Sequence, residues 1–430
     1  MRVCLYEDRG AAGLEPLTTT RPVFDLFCGA TSLADKQLAA FPDADAGLLV
    51  RADLADLVRL ARPGVPVNDL PWLAAGPVVL VNGRWLPPTT LPALPDGPCV
   101  GLADGTVVFA TVTPSQLPDD WTDFDNWLLQ LRDELPTIDA GGVAIRHLWE
   151  LISANPEHLN RDFAKRSAPR IGPWPLLGCR PEGVGLIGPS ERLLIDPEAT
   201  VDPMVLFDTT RGSIVVDAGA CVQAFSRVEG PCYIGVDCQI LGAKLRGGVT
   251  LGPGCRIGGE VECSIVQGYT NKYHEGFLGH SYVGEWVNFG AGAQASDLRN
   301  DYGEVRVILG GSTLATGTTK VGALVGDHAK IGLGCLLNTG TVIGAFGQTL
   351  PAGRLLPKHV PPYGTTRFDR VAERDDLDGM LTTAATVMTR RGHELTPAHL
   401  TFYRRLHAST AGARRAAVRE AERRRLARAA

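Results

Sequence analysis

The chain has 430 residues, of which 44% are hydrophobic and 21% are charged, and its formal net charge is −5. This length allows two or three domains with sizeable cores, and the composition is typical of a soluble globular protein. The longest apolar runs, such as residues 78–81, are far too short to span a membrane. Because the N-terminus also lacks the features of a secretory signal, we expect a cytoplasmic protein.

Residues 1–167 alternate between strand-like and helix-like segments, which indicates a mixed α/β domain. The strand candidates are residues 2–6, 78–81 and 107–112. Helical patterns cover residues 31–40, 123–135 and 144–164. A segment rich in proline and glycine follows over residues 168–184, and this composition is typical of a linker.

Residues 185–350 carry a six-residue repeat. The clearest units are Val325–Gly326, Ile331–Gly332, Leu337–Asn338 and Ile343–Gly344. Three such units make one triangular coil of about 18 residues, with the aliphatic side chain pointing inward and Gly or Asn turning each corner. The repeat therefore predicts a β-helix, a stack of coils in which each buries its apolar face against its neighbours.

The six-residue register is interrupted twice, between Cys263 and Leu278 and between Ala293 and Gly311. Excursions from a regular scaffold often carry functional residues. We therefore expect loops that leave the coils at both places. The first interruption contains His274, whose imidazole is suited to moving a proton near neutral pH.

Residues 351–430 lack the repeat and are predicted to form a helical extension, with one helix starting at Thr396–Pro397. The sequence from Met388 onward contains eleven arginines and three glutamates. Such a tail can bind nucleic acid or an anionic surface, but a solvated helix is the simpler interpretation, and we do not expect nucleic acid as a partner. The ten cysteines are interpreted as reduced, mostly buried thiols, with a redox or metal role as the alternative.

The segment from Phe277 to Gly292 resembles the GlmU-like family, which pairs an N-acetylglucosamine-1-phosphate uridyltransferase with a glucosamine-1-phosphate acetyltransferase. The family pattern is Tyr-Leu-Gly-Asp-Ala-x-Ile-Gly-x-x-Val-Asn-Ile-Gly-Ala-Gly. The resemblance covers roughly residues 1–350 and is closest to a divergent branch of sugar nucleotidyltransferases. It implies that the coils are left-handed, that the active assembly is a homotrimer, and that acetyl-CoA is the acyl donor.

The resemblance also implies roles for individual residues. His274 stands where the family has its catalytic base, Phe277 and Asn288 match positions that contact the sugar phosphate, and His280 replaces the family's Asp. Asn300 and Tyr302 are a weaker match to an Asn-Tyr-Asp-Gly segment. The family also places a lysine on the strand before the base, and residues 259–263 have none.

In the N-terminal part, Leu14–Pro22 resembles the entry motif of the divergent branch. The resemblance implies nucleotide binding through Gly13, Leu14, Arg21 and Lys36, with Mg²⁺ assisting nucleotidyl transfer. The Gly-Thr-Arg portion of the usual motif is absent, and the sequence does not choose Mg²⁺ ligands, although Asp8 and Asp104 are candidates. The expected product is UDP-N-acetylglucosamine or a related nucleotide sugar.

Two alternatives remain open at this point. The first is a non-catalytic trimer with a regulatory or scaffold role, since the missing Gly-Thr-Arg segment and the missing lysine would both fit a loss of chemistry. The second is a zinc enzyme related to carbonic anhydrase, with His274, His280 and His328 as ligands, which requires the three imidazoles to converge.

Overall fold

A computed structural model of the protein describes residues 1–167, 182–368 and 370–429. The predicted linker lies mostly outside the described residues. The chain divides into two compact units. The first contains residues 1–14, 21–26 and 31–147, and the second contains residues 15–20, 27–30 and 148–430. None of the described helices is both long and apolar enough to cross a bilayer.

The first unit is built on a six-stranded mixed sheet. Its strands, in spatial order, are Asp45–Leu49, Arg2–Tyr6, Val78–Asn82, Thr106–Val112, Cys99–Ala103 and Thr137–Asp139. The first three are parallel, and Thr106–Val112 runs antiparallel to both of its neighbours. The α-helices of this unit are Leu33–Ala39, Ala55–Ala61, Leu70–Ala74 and Phe124–Glu134. The predicted mixed α/β fold of this part of the chain is confirmed.

The second unit is a left-handed parallel β-helix, as the hexapeptide repeat and the resemblance predict. Each coil contributes one strand to each of three parallel ladders, which are called here the first, second and third ladders in the order in which the chain visits them. The first ladder consists of Gly185–Ile187, Leu206–Asp208, Arg227–Glu229, residues 244–246, residues 260–262, Phe277–Gly279, Gln294–Ala295 and Leu336–Leu337.

The second ladder has nine strands: Leu193–Ile195, Ile214–Val216, Cys232–Ile234, Val249–Leu251, Ile265–Gly268, Tyr282–Glu285, Leu324–Val325, Val342–Ile343 and His359–Val360. The third ladder consists of Thr200–Val201, Cys221–Val222, residues 239–241, residues 256–258, Asn271–Lys272, Asn288–Phe289, Lys330–Ile331, Gln348–Thr349 and Gly364–Arg367. The aliphatic side chains of all three ladders meet in one continuous core.

The first predicted interruption is not an excursion. Residues 263–278 form an ordinary coil, with Ile265–Gly268 in the second ladder and Asn271–Lys272 in the third. The coil is 17 rather than 18 residues long here, because Glu260 and Phe277 are direct partners in the first ladder. The second interruption is confirmed, and the chain leaves the stack after Ala295 and returns at Leu324, with a hairpin of Arg306–Leu309 and Ser312–Ala315 between them.

Helix Leu148–Ser167 belongs to the coil unit, although the sequence grouped it with the N-terminal domain. Its apolar side packs Leu159 and Phe163 against Leu194 and Val215 of the second ladder. Asn155 adds a polar anchor, because its side-chain amide donates to the carbonyl of Gly248 at 3.0 Å. The helix therefore packs on the outer face of the second ladder through a small apolar cluster that is separate from the core inside the coils.

Five aromatic or heteroaromatic rings stack along the corner between the second and third ladders. They are Tyr269, Trp286, His328, Phe346 and Tyr363, all of which have positive φ. Neighbouring ring centroids lie 4.4 to 6.3 Å apart, with interplanar angles of 5° to 17°. Since non-glycine residues rarely adopt positive φ, the stacking compensates for a backbone conformation that costs free energy.

The C-terminal extension covers this ring stack. It contains the helices Leu377–Thr389, Pro397–Ser409 and Ala411–Ala429. Tyr403 presents its edge to Phe346 at 4.9 Å, and His407 presents its edge to Tyr363 at 5.0 Å. The predicted start at Thr396–Pro397 is confirmed, because the Thr396 side chain caps the helix.

Candidate functional site

The corner between the third and first ladders carries His274. The residue lies in the turn that links Asn271–Lys272 to Phe277–Gly279, and its side chain is exposed. Its ring meets the ring of Tyr273 edge-on, with centroids 5.2 Å apart. Gly276 closes the turn with φ of 142°, and a Cβ atom there would lie 2.2 Å from the carbonyl oxygen of Ala293. Only glycine fits this position, so the neighbouring coil fixes the path of the turn.

Lys272 holds the turn from the inside of the coil. Its register partner on the previous coil is Ile257, which is fully buried. The Lys272 ammonium donates to the carbonyl oxygens of Gly258 at 2.7 Å and His274 at 3.1 Å. Burial lowers the pKa of Lys272 to about 8, although the charge of Glu275 partly opposes this shift. The sequence analysis missed this lysine because it occupies a position that the repeat normally gives to an aliphatic residue.

Phe277 and Asn288 lie on the two ladders that meet at this corner. Phe277 opens a first-ladder strand, and its backbone N–H donates to the Gln294 side chain at 2.7 Å. Asn288 lies on the third ladder, is exposed, and pairs with Asn271 on one side and Lys330 on the other. Burial lowers the pKa of Lys330 to about 8. The structure therefore places an exposed amide on the coil next to that of the candidate base, with Lys330 on the following coil.

Asn300 and Tyr302 are not brought to the same corner of the chain. Both lie in the excursion that follows Gln294–Ala295, at the opposite end of the first ladder from His274. Tyr302 is 72% exposed and has φ of 54°, and its neighbours Arg299 and Asp301 form an exposed ion pair. Within one chain, their expected contribution to the sugar-phosphate site has no geometric support.

The opposite corner, between the first and second ladders, holds Cys263, His280 and Asp297. Nδ1 of His280 lies 2.7 Å from Oδ2 of Asp297. Burial disfavours the charged form of His280, but the hydrogen bond to Asp297 and the neighbouring Cys263 outweigh this effect and raise its pKa to about 9. Burial would raise the pKa of Asp297, but the same hydrogen bond holds it below its usual value. The sequence analysis named only His280 among these residues.

Glu262 borders the same corner. Its carboxylate and the donor atoms of Cys263 and His280 lie within 4.8 Å of one another, close enough to surround an ion. However, Lys320 contacts Glu262 at 3.3 Å, and Arg246 approaches it at 4.0 Å. A carboxylate that is already neutralised by two cations is a poor ligand for a further one, so this corner does not favour a metal.

The zinc alternative is not supported within the chain. His274, His280 and His328 lie at three different corners of the prism. Nε2 of His328 lies 3.1 Å from the hydroxyl of Tyr403, inside the aromatic stack. Three imidazoles that bind zinc must converge on one point, and these three do not converge within one chain.

The outer face of the first ladder forms a pocket with a volume of about 210 Å³. Its charged lining residues are Arg227, Glu229, Lys244, Arg246 and Glu260. Arg227 is paired with Asp208 and Glu229, and Arg246 is paired with Glu260. The cations of the lining outnumber its carboxylates by one, and this small positive excess can attract a phosphate group.

The predicted nucleotide-binding residues occupy different environments in the first unit. Gly13 lies in the 3₁₀ helix Arg9–Leu14, where a Cβ atom would lie 2.3 Å from the carbonyl oxygen of Arg146. Leu14 is fully buried, so its side chain cannot reach a nucleotide. Lys36 is also buried and donates to the hydroxyl of Thr31 at 3.0 Å. The expected open phosphate-binding turn is therefore a packed helical turn.

The remaining elements of the nucleotide prediction are equally constrained. The carbonyl oxygen of Arg21 accepts a hydrogen bond from Arg51 at 3.2 Å. Residues 15–20 of the entry motif belong to the coil unit, where the Thr20 hydroxyl donates to Asp327 at 2.6 Å. At the start of the 3₁₀ helix, the Asp125 carboxylate accepts the backbone N–H of Arg9 at 2.9 Å. An acidic side chain thus stands at an amide that a phosphate would otherwise contact.

The candidate Mg²⁺ ligands do not form a site. Asp8 accepts hydrogen bonds from Nε of Arg84 at 2.6 Å and from the Asn82 amide at 2.8 Å. Its guanidinium partner is buried, so the carboxylate is already neutralised. Asp104 is exposed in the turn between Cys99–Ala103 and Thr106–Val112. The Asp8 carboxylate, paired in this way, does not fit Mg²⁺.

Comparison with known proteins finds similarity to sugar-nucleotide transferases. Residues 3–171 match the family model described as sugar nucleotidyl transferase. A bifunctional sugar-1-phosphate nucleotidylyltransferase/acetyltransferase of Sulfurisphaera tokodaii is 35% identical over 98 residues, which is 22% of this chain and 24% of that protein. The bifunctional protein GlmU of Methylibium petroleiphilum is 29% identical over 148 residues, which is 34% of this chain and 28% of that protein. The GlmU-like resemblance is confirmed.

The matches cover only parts of these proteins, since the chain spans about a quarter of the length of each of these two relatives. Among solved structures, the Francisella novicida UDP-N-acetylglucosamine acyltransferase aligns with a TM-score of 0.32 and 14% identity, over 50% of this chain and 74% of that one. A perosamine N-acetyltransferase variant from Caulobacter crescentus, solved with CoA and GDP-perosamine, aligns with a TM-score of 0.13 and 17% identity, over 44% of this chain and 58% of that one.

Proposed function

We propose that the chain is a transferase of sugar-nucleotide biosynthesis whose coil unit transfers an acetyl group from acetyl-CoA to the amine of an amino-sugar phosphate. The observation that carries the proposal is the corner at His274. An exposed imidazole stands there on a turn that Lys272 and Gly276 hold in place, and Phe277 and Asn288 lie on the adjoining ladders. Matches to bifunctional nucleotidylyltransferase/acetyltransferases support it.

The chemistry assigned to His274 is general base catalysis. An amino sugar is mostly protonated at neutral pH, and its ammonium form cannot attack a thioester. The imidazole removes a proton from the amine as the amine attacks the acetyl carbonyl, and it returns the proton to the departing CoA thiolate. Backbone N–H groups at a coil corner can stabilise the oxyanion of the tetrahedral intermediate.

The N-terminal unit is proposed to transfer a nucleotidyl group from a nucleoside triphosphate to a sugar 1-phosphate, giving a product of the UDP-N-acetylglucosamine type. The match of residues 3–171 to sugar nucleotidyl transferases supports this activity. The Asp8 carboxylate is already paired with Arg84 and does not fit Mg²⁺. Assembly as a homotrimer and a cytoplasmic location belong to the same proposal.

A second candidate applies to the N-terminal unit alone. Gly13 and Leu14 are closely packed, and Asp125 accepts an amide at the start of their helical turn. This environment favours a unit that has kept its fold but lost nucleotidyl transfer, and that serves a regulatory or scaffold role. The two candidates differ in one measurable reaction, the release of pyrophosphate.

The test measures two activities of the full chain. His274→Ala should abolish acetyl transfer from acetyl-CoA to glucosamine 1-phosphate, while pyrophosphate release from UTP and N-acetylglucosamine 1-phosphate should continue at the wild-type rate. Tyr273→Ala is the matched control, because it alters the same turn and keeps the imidazole. Equal loss of both activities in His274→Ala would refute the two-site proposal. Pyrophosphate release that is absent in the wild type would favour the scaffold role for the N-terminal unit.

A further inference from the structure

The corner between the first and second ladders contains a column of three chemically matched side chains. Cys263, His280 and Asp297 follow one another at intervals of 17 residues, which is the local length of one coil. Cys263 and His280 both turn the corner with positive φ, at 41° and 42°. The column therefore places a thiol, an imidazole and a carboxylate on three successive coils.

Hydrogen bonds orient the side chains of the column. Asp297 engages Nδ1 of His280 at 2.7 Å and so orients the ring. The Cys263 sulfur lies within 4.8 Å of a ring nitrogen of His280, and its thiol donates to the carbonyl oxygen of Gly247 at 3.2 Å. A nucleophile next to a base that is oriented by a third group is the arrangement that activates thiols and hydroxyls in hydrolases and transferases.

The charges and the burial around the column suit proton transfer from the thiol to His280. Lys320 and Arg246 both contact Glu262, the residue before Cys263, so the local acidic charge is compensated. Although burial opposes it, the hydrogen bond to Asp297 and the neighbouring Cys263 raise the pKa of His280, which makes its ring a stronger proton acceptor. The thiol is half-buried rather than sealed in the core, in contrast to Cys232, Cys238 and Cys255 of the preceding coils.

The pocket on the outer face of the first ladder borders the strand that precedes this corner. Its lining holds the cations of Arg227, Lys244 and Arg246 together with the carboxylates of Glu229 and Glu260, and the strand Arg256–Glu262 ends next to Cys263. A molecule that carries phosphate groups could bind its anionic part to these cations and place its other end at the thiol. Acyl thioesters of a phosphorylated carrier, such as an acyl-CoA, have this chemistry.

We propose that Cys263 is a second acyl-accepting site, a nucleophile that takes an acyl group from a phosphorylated thioester. His280 accepts the thiol proton, and the sulfur attacks the thioester carbonyl. The new carbon–sulfur bond forms as the bond to the carrier sulfur breaks, and His280 gives the proton to the departing thiolate. The products are S-acyl-Cys263 and the free carrier thiol, so no oxidant or reductant is required. Asp297 acts as a positioning residue.

The experiment uses the full-length protein with acetyl-CoA alone as the probe. After incubation and acid quenching, intact mass and peptide mapping should show one acetyl group on Cys263 that hydroxylamine removes. Cys263→Ser should abolish the hydroxylamine-sensitive adduct, whereas Cys221→Ser, which replaces another half-buried coil thiol, should retain it. His280→Gln should slow formation about 100-fold or more, which is the usual contribution of a general base.

The positioning role of Asp297 has its own measurement. In Asp297→Asn, the His280 pKa measured by NMR should fall from about 9 toward 6.5, and the pH profile of Cys263 alkylation by iodoacetamide should shift with it. A structural role alone would leave this pH profile unchanged. Circular dichroism confirms that each variant is folded.

The outcomes separate this inference from the proposed function. Acetylation of Cys263 in His274→Ala, or in a wild type that fails to acetylate glucosamine 1-phosphate, supports the inference independently. The inference is overturned by the absence of an adduct, by equal acetylation of Cys221 and Cys263, or by tight Zn²⁺ binding that blocks alkylation of Cys263. Acetylation of the sugar at full rate by Cys263→Ser, without any adduct in the wild type, would leave only the His274 site.

Discussion

Replacing Lys272 with methionine should change how the stability of the coil unit depends on pH. The ammonium group is buried in the coil, and its pKa is lowered from 10.5 to about 8. The folded protein therefore loses this proton at lower pH than the unfolded chain does. Between about pH 8 and 10.5 the unfolded state binds more protons, so the contribution of Lys272 makes stability rise with pH in this range.

The size of the effect follows from the shift. At 1.36 kcal/mol per pKa unit, keeping the ammonium charged inside the coil costs roughly 3 kcal/mol below pH 8. Methionine has a similar shape and no charge, but it leaves the carbonyl oxygens of Gly258 and His274 without their donor, which costs about 1–3 kcal/mol. Lys272→Met should thus be as stable as the wild type or up to about 2 kcal/mol more stable at pH 7, and less stable by about 1–3 kcal/mol above pH 10.5.

The assay is urea unfolding at four pH values, compared as the difference in free energy of unfolding between variant and wild type. Groups that titrate equally in both proteins cancel in this difference. Lys330→Met is a second test of the same effect, because burial lowers the pKa of Lys330 to a similar value while its ammonium donates to a different carbonyl, that of Trp286. A difference that stays constant from pH 7 to 10.5 would refute the reasoning.

Two further predictions concern positions that tolerate little change. Gly276→Ala should destabilise the coil unit by more than about 2 kcal/mol and lower acetyl transfer, because the new Cβ meets Ala293. Gly310→Ala is the control, since a Cβ there lies in open space and should cost only about 1 kcal/mol of stability. Equal urea midpoints for the two variants would contradict this prediction. Arg84→Met should lower the free energy of unfolding by about 3–5 kcal/mol, because it leaves Asp8 buried without its cation. Thermal unfolding of the double variant should show that adding Asp8→Asn restores part of this lost stability. Additive losses would contradict the pairing.

The sequence predicted the β-helix because its repeat reports the inward-facing positions directly. It could not reveal the Cys263 column, since contacts across coils depend on coil length, and a 17-residue coil breaks the six-residue register. The same irregular coil was interpreted as an excursion. Lys272 was missed for a related reason. The repeat is recognised by aliphatic residues at inward positions, so it does not identify a charged residue that occupies one of them.

The N-terminal unit shows the reverse situation. The sequence predicted the alternation of strands and helices, and the strand Arg2–Tyr6 begins and ends at the predicted residues. The sequence could not predict the surroundings of the proposed nucleotide-binding residues. Gly13 packs against Arg146 and Asp8 pairs with Arg84, and the residues of each pair are more than 70 positions apart in the chain. A local motif indicates which residue types are present but not which partners they meet.

The stacked rings of the β-helix make the final eighty residues part of its architecture. A recombinant fragment that stopped at residue 350 would lack Tyr363, the last ring of the series, and would expose the flank of Phe346 that Tyr403 now shields. Such a fragment would expose apolar surface to solvent, and we expect it to self-associate. Dissection of the two activities is therefore better done with point variants of the intact polypeptide than with separately expressed halves.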